Sequence, residues 1–392
     1  MKKGRRTWLE IDLDAIKGNV STIRANMDPN TALCAIVKGN SYSHGAMEVA
    51  RMLDDLPGVT LFGVACFDEA MNVRSGGTKK PIFILGYSDP DLAQDLEYNN
   101  MTQCCFSLSY AMKLSANMEG SGRKLRVHMK IDSGMSRLGI LNQRECDFES
   151  ALEEALEMLK LPNLEFEGIF THFAKSEDSS SDFTERQYAN FRRIVDAIEA
   201  TGHKFKYIHC NNSAGGAYHP DKQCTMARSG TTLYGYSPDP SRPIAGLHTA
   251  MQWKAVIAQI KWLEPGSFIS YSCTYEVKER SRIAVVSVGY ADGLFRLLSG
   301  KMKIFVNGKP APSVGKICMD QTMIDVTGIE GVEEGQTVTL FGDDGGVYHD
   351  PFAMSEFVGE HPIIIQCFIS SRVPRVYFSG GKEIHETNYL NK

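Results

Sequence analysis

Leu33-Cys34-Ala35-Ile36-Val37-Lys38-Gly39-Asn40-Ser41-Tyr42-Ser43-His44-Gly45 is an apolar run that stops at a lysine and a glycine. The apolar half reads as a buried strand and Gly39 as its end. A lysine at the carboxyl end of such a strand is held rigidly, faces the mouth of an α/β fold and is partly desolvated. Desolvation lowers an amine's pKa and frees its lone pair to attack a carbonyl. The plain alternative is a solvated lysine in a strand-to-helix loop.

Working outward, similar short apolar runs occupy residues 32–37, 61–66, 81–85, 101–106, 125–131, 164–170, 207–210 and 225–228. Amphipathic stretches separate them: Leu13, Ile16, Val20 and Ile23 share one helical face, and residues 146–159 and 184–200 are long enough for crossover helices. Eight strand-helix units in series predict a closed parallel (β/α)8 barrel of the TIM type. Its chemistry is expected at the carboxyl ends of the strands, with a phosphate site near strands seven and eight. That rule puts Lys38, Arg137, His172, Asn212, Ser213, Arg228 and Gly230 at one mouth. Ser213 opens a small-residue segment with bare N–H groups and Gly230 permits close backbone approach, both suited to a phosphate monoester. The plain reading of Ser213 is a helix N-cap.

Residues 237–243, Ser-Pro-Asp-Pro-Ser-Arg-Pro, read as a linker. Beyond them helical periodicity is scarce. Runs at 255–260, 282–288, 303–306, 323–326, 337–341 and 363–369, with an Asn307-Gly308 turn signal, predict a mainly antiparallel β domain. The expected division is a barrel over 1–240 and a β domain over 241–392.

Composition narrows the function. A chain of 392 residues, 43% hydrophobic, is too long for one ordinary core. A net charge of -5 without a basic tract argues against nucleic acid and anionic membranes as partners. No apolar run reaches membrane-span length. Glu10 and Asp12 interrupt any leader-like start, so a cytoplasmic protein is expected. The 10 cysteines include no C-x-x-C pair and read as reduced thiols, implying neither metal nor disulfide.

Taken in order, several motifs carry a resemblance. They are VKGNSYSHG (37–45), HMKIDSGMSRLG (128–139), FTHFA (170–174), HCNNSAGG (209–216), ARSG (227–230), LYGYSP (233–238), ISYSCTY (269–275), SVGYADG (287–293), VGKICMDQTMIDV (314–326) and SSRVPRVY (370–377). Over nearly its whole length the chain resembles the bacterial alanine racemases, fold-type III pyridoxal-phosphate enzymes built of a barrel and a β domain.

The resemblance implies a role for each matching residue. Lys38 would hold pyridoxal 5'-phosphate covalently and then act as base on one face of the amino-acid substrate's Cα. Tyr271, reaching in from the partner of a homodimer, would be the base on the other face, with His172 stabilising its anion. Arg228 would face the pyridine nitrogen and keep it unprotonated. Tyr42, Ser213, Gly230 and Thr231 match phosphate contacts. Arg137 and the backbone near Met319 would fix the substrate carboxylate and the ring oxygen. Lys130 matches a lysine that some members carry as a carbamate. Tyr290 matches a residue of the substrate entrance, and Asp320 and Ser371 complete the substrate side. His44 reads equally as a structural turn residue. The implied role is D-alanine supply for peptidoglycan.

Two departures from the family pattern stand out. Where it reads KADAYGHG, this chain has Gly39, Asn40, Ser41 and Ser43. Where it reads SYRVPR, this chain has Ser371 for the tyrosine, which enlarges the pocket. A pocket built for methyl excludes a slightly larger side chain by only about 1–3 kcal/mol, so serine is a candidate second substrate. A decarboxylase of related architecture would want an acid rather than Arg228 at the pyridine nitrogen. A noncatalytic cofactor-binding barrel would lack the β domain.

Overall fold

The computed structural model describes residues 4–220, 222 and 224–390. They form two compact units: Ala15–Ser41 with Ala46–Thr249, and Met1–Asp14 with Tyr42–Gly45 and Ala250–Lys392. Strand β1 (Thr7–Asp12) belongs to the second.

The first unit is the barrel. Its strands are β2 (Ala32–Ile36), β3 (Leu61–Val64), β4 (Ile82–Ile84), β5 (Met101–Cys105), β6 (Leu125–Asp132), β7 (Leu164–Phe170), β8 (Tyr207–His209) and β9 (Met226–Ser229). All pair in parallel, in the order β9-β2-β3-β4-β5-β6-β7-β8. Two hydrogen bonds join the free sides of β8 and β9: Thr225 N–H to Ile208 O at 2.9 Å and Arg228 N–H to Asn211 O at 3.0 Å. The ends observed lie within two residues of those read from the apolar runs, because strands covered on both faces are continuous apolar stretches. Among the described residues no helix is long and apolar enough to cross a membrane.

Inside the barrel, aromatic and imidazole rings stack in layers. The Phe170 and His209 rings are parallel with centroids 4.7 Å apart, and Phe83 lies edge-on to both. His128 packs 4.5 Å from Phe83. Its space exists because position 168 is glycine: a Cβ there would lie 2.6 Å from the imidazole carbons.

The second unit is a twisted sheet of mostly antiparallel strands. Its strands are β10 (Met251–Leu263), β11 (Ser281–Val286), β12 (Lys303–Val306), β13 (Lys309–Pro312), β14 (Thr322–Asp325), β15 (Thr337–Asp344), β16 (Arg375–Ser379) and β17 (Lys382–Thr387). The order is β13-β12-β15-β10-β1-β16-β17, with β11 on β10 and β14 on β11. Asn307 and Gly308, at φ 52° and 70°, form the two-residue turn between β12 and β13.

Three readings of the sequence change. The run at 363–369 forms a helix, Pro362–Cys367, in place of a strand: Pro362 stands in the first turn and the His361 ring accepts the N–H of Ile363. The division at 240/241 differs from the compact units because β1 pairs antiparallel with β10 and parallel with β16. The proline-rich segment also lies in the barrel unit, where the Arg242 guanidinium sits 4.0 Å over the Tyr218 ring and Tyr218 Oη donates to Arg242 O at 2.9 Å.

Gly168→Ala should therefore lower the barrel's stability by about 1–3 kcal/mol, since the His128 ring has Phe83 behind it. Urea unfolding of the variant beside the parent measures this; an unchanged midpoint would show that the interior yields freely.

Candidate functional site

In the barrel unit the sequence-derived residues gather at the carboxyl ends of the strands. Lys38 follows β2 and is half-buried. The backbone turns left-handed after it, with φ of 61°, 53°, 55° and 50° at Gly39, Asn40, Ser41 and Tyr42. Side chains hold this unusual path. Glu69 accepts the N–H of Gly39 at 2.8 Å and of Ala65 at 2.7 Å, and Asn40 Oδ1 accepts the N–H of Ala46 at 2.8 Å.

Arg228, at 3% exposure, is the centre of the arrangement. Its guanidinium donates to Thr171 O at 2.9 Å, His209 O at 3.2 Å, Cys210 O at 3.2 Å, His209 Nδ1 at 2.7 Å and His172 Nδ1 at 3.2 Å. A guanidinium only donates. Both imidazole Nδ1 atoms must therefore be acceptors, and both rings carry their proton on Nε2. For His209 that proton lies on the side of His128 Nδ1, 2.9 Å away. His128 is then also protonated at Nε2, which is 3.6 Å from Glu167. Sequence reading gave His209 and His128 no role; histidines inside two buried strands were the available signal.

Burial and the Arg228 charge keep these rings neutral. The His172 pKa is pushed well below its ordinary value by burial, then by Arg228, Arg137, Lys130 and Lys38. His209 is lowered in the same way, and His128 by burial above all. Lys130, 4% exposed, is also lowered, first by burial, with Arg137 and Arg228 adding to it. Arg137 itself is exposed. Its loop is organised by Asp132 Oδ1, which accepts the N–H groups of Gly134, Met135 and Ser136 at 2.9–3.1 Å.

The expected phosphate contacts Ser213, Gly230 and Thr231 lie together. Asn212, not Ser213, caps the following helix, its Oδ1 accepting the Gly215 N–H at 2.8 Å. That leaves Ser213 Oγ to accept the Gly230 N–H at 2.9 Å and the Thr232 hydroxyl at 3.2 Å. The Ser213 hydroxyl proton stays available to a ligand, and two further donors stand out. The buried Thr231 Oγ1 and the Arg228 Nε–H have no hydrogen-bond partner among the described residues. A small anion and an aromatic nitrogen would satisfy them, so the residues present fit a phosphorylated pyridine.

Tyr42, Tyr271, Tyr290, Met319, Asp320 and Ser371 belong to the second unit. Buried Arg375 ties together two of its segments. Its guanidinium donates to the carbonyls of Ser43, Ile369, Ser370 and Val373 at 2.6–3.2 Å. His44, fully buried, has Nδ1 3.1 Å from Tyr42 O, which agrees with its structural reading. Asp292, with 0% exposure, accepts Arg6 at 2.5 and 3.0 Å, Arg372 at 2.8 Å and the Gly289 N–H at 2.9 Å. Arg372 reaches on to Asp320 at 2.5 Å. Gly289 presses on the carbonyls of Cys318 and Met319, where a Cβ would lie 2.3–2.4 Å away. Tyr290, Met319, Asp320 and the Ser370–Arg372 turn are thus one assembly. Tyr271 stands 60% exposed on a turn whose Ser270, Ser272 and Cys273 have φ of 68°, 61° and 49°.

Comparison with known proteins matches the chain in two parts. The family model described as alanine racemase, N-terminal domain, matches residues 11–238, and that for the alanine racemase C-terminal domain matches 250–377. The chain is similar to an alanine racemase of Clostridium perfringens, 37% identical over 98% of this chain and 99% of that one. It is also similar to alanine racemase 2 of Caldanaerobacter subterraneus, at 38% over 98% of each. Among solved structures, an alanine racemase of Clostridium difficile 630 superposes with a TM-score of 0.92 at 33% identity, covering 99% of this chain and 100% of that one. A Bacillus anthracis alanine racemase with bound L-Ala-P gives 0.88 at 33%, covering 100% of each.

Neutral His128, His172 and His209 make stability depend on pH with a definite sign. Their folded pKa values lie below the ordinary 6.5, so as pH falls the unfolded chain takes up protons first. Stability is full above about 6.5 and declines below it, by up to about 1.4 kcal/mol per pH unit for each ring. Urea midpoints measured from about pH 7.5 down to about pH 5 should fall, and His209→Asn should flatten the slope.

Proposed function

The chain belongs to the alanine racemase family, and from that premise we propose how its own residues perform the interconversion of L- and D-alanine. Alanine racemases depend on pyridoxal phosphate, which, when bound, withdraws electrons from the substrate's Cα and makes its proton removable. Lys38 is the residue to hold it and the base on one face of Cα. Tyr42, Ser213, Gly230 and Thr231 take the phosphate. Arg228 takes the ring nitrogen, and the observation that carries this reading is its guanidinium: buried, surrounded by acceptors that are neutral, with Nε–H left over. A permanent cation there holds a ring nitrogen unprotonated, which limits electron withdrawal and suppresses side reactions.

Tyr271 is the base on the opposite face, supplied by the partner of a homodimer. Its exposure on a strained turn supports that reading, as do the exposed Tyr290, Met319, Phe368 and Phe268 of the same unit. His172, neutral with a proton on Nε2, is suited to donate to the Tyr271 oxygen and stabilise its anion. Arg137 and the backbone near Met319 fix the substrate carboxylate and the ring oxygen. Lys130, whose lowered pKa makes its amine available to carbon dioxide, would carry the carbamate that orients Arg137. Tyr290, Asp320 and Ser371 line the substrate side. D-Alanine for cell-wall synthesis in the cytoplasm is the role adopted.

Mixing tests the shared site. Lys38→Ala and Tyr271→Phe should each lose roughly 10²–10⁴-fold in activity. Co-refolded in equal amounts, the two inactive chains should regain about a quarter of parental activity, because half the dimers are mixed and each holds one intact site. A tyrosine acting within its own chain gives no recovery. In heavy water Tyr271→Phe should exchange the Cα proton of one enantiomer without racemising it; exchange of both would remove the two-base reading.

Ser371 favours a second substrate, serine, through the space and hydroxyl it introduces. Ser371→Tyr should lower the serine-to-alanine ratio of kcat/KM by about 10-fold or more. Parental enzyme with no measurable serine racemisation would dispose of this extension.

A further inference from the structure

The seam that closes the barrel carries a pair of sulfurs. Cys210 Sγ and Cys224 Sγ lie 2.9 Å apart, Cys210 at the end of β8 and Cys224 just before β9. Backbone hydrogen bonds flank them, Thr225 to Ile208 on one side and Arg228 to Asn211 on the other. The Thr225 hydroxyl adds a bridge, accepting the Ile208 N–H at 2.7 Å. The segments bearing the two sulfurs are thus held in register. A disulfide needs about 2.05 Å between sulfurs, so closure asks for a shift of less than an ångström.

The two cysteines differ in environment. Cys210 is completely buried, whereas Cys224 is partly exposed. Cys224 Sγ accepts the Cys210 N–H at 3.2 Å, which favours a thiolate. Its pKa is drawn down, first by the hydrogen bond from Cys210 and then by backbone N–H groups and Arg228, against the effect of burial. Burial and its neighbour raise the Cys210 thiol. Cys224 is the less buried and the more readily ionised of the two, and Cys210 is the sheltered thiol.

We propose that Cys210 and Cys224 are a redox-active dithiol that hydroperoxides convert to a disulfide across the closing seam of the barrel. The Cys224 thiolate attacks the terminal peroxide oxygen. The O–O bond breaks, and the leaving oxygen takes a proton and departs as water or alcohol. The sulfur, oxidised by two electrons, is now a sulfenic acid. Cys210 Sγ attacks it, the S–O bond breaks, the S–S bond forms, and the hydroxyl leaves as water with the Cys210 proton. In sum, two thiols and one hydroperoxide give one disulfide, one alcohol or water, and one water. The bridge would close a loop containing the Asn212-capped helix and Ser213, and Cys210 O is itself an acceptor of Arg228. The inference concerns the sulfurs alone and stands apart from the cofactor reading.

The test treats intact full-length holoenzyme with one equivalent of hydrogen peroxide and maps its cysteines by mass spectrometry. The expected product has lost two of its ten thiols, is lighter by two hydrogens, yields a Cys210–Cys224 cross-linked peptide and reverts with dithiothreitol. The pair should react at least about tenfold faster than exposed Cys146, Cys273 or Cys367. Cys224→Ser, which keeps an acceptor for the Cys210 N–H, should abolish the cross-link. Should Cys210→Ala fold, it should stop at a Cys224 sulfenic acid captured by dimedone. Oxidation confined to the exposed cysteines, or an unchanged loss of two thiols in Cys224→Ser, would overturn the proposal.

Discussion

A buried cation whose hydrogen-bond acceptors among the described residues are all uncharged governs the barrel mouth. Taking a guanidinium out of water costs several kcal/mol unless its donors are satisfied. Arg228 meets that demand with carbonyls of Thr171, His209 and Cys210, which follow or end β7 and β8, and with two imidazoles. An acidic partner would have neutralised it. Neutral acceptors leave the positive charge standing while fixing where each imidazole keeps its proton. The constraint extends through His209 to His128, and it needs Gly168 to leave room for the second ring. The chemistry at the mouth and the packing of the interior therefore rest on the same polar chain.

Much of this was legible because two-sided burial writes strands as apolar runs, and the residues just past them fall at one mouth by the geometry of the barrel. Long-range pairing was not. Thr7–Asp12 is joined to Met251–Ala255 and to Arg375–Phe378, partners more than 200 residues away, and nothing local marks that. The 363–369 run shows the opposite fault: apolarity alone cannot separate a buried helix from a strand, and Pro362 was the discriminating residue. Ser213 was set apart from a plain cap by its place after the seventh strand, and the capping is in fact done by Asn212. The histidine chain could not be read, since contacts between side chains of β6, β8 and β9 exist only once the barrel has closed.

In the smaller unit, separate motifs are bound through two buried charges, Asp292 and Arg375. Asp292, inside SVGYADG, holds Arg6 and Arg372, and Arg372 passes the connection to Asp320. Arg375 plays the reciprocal part with carbonyls only. Such pairs and capped cations are weak contributors to net stability, but removing an arginine would leave the buried Asp292 carboxylate poorly compensated. They function as registration: Tyr290, Met319, Asp320 and the Ser370–Arg372 turn cannot shift independently. That helps explain how a set of half-exposed side chains is kept in fixed mutual positions.

The departure from the family pattern at Lys38 then acquires a physical meaning. Backbone from Gly39 to Ser43 has positive φ throughout, and each residue other than glycine in that region costs roughly 1–2 kcal/mol, less for asparagine. Where the family pattern has alanine and aspartate after the lysine, this chain has glycine and asparagine, the residues that bear left-handed backbone best. Where the pattern has glycine at position 43, this chain has serine at φ 68°, and the strain returns there. Ser43 is also where the added anchoring lies: its hydroxyl donates to Ile369 O at 3.4 Å and its carbonyl accepts Arg375 Nε at 3.1 Å. The exchange moves strain away from the lysine and toward a residue fastened by a buried arginine. In this chain the left-handed path is thus carried by glycine and asparagine next to Lys38 and by an anchored serine at its far end.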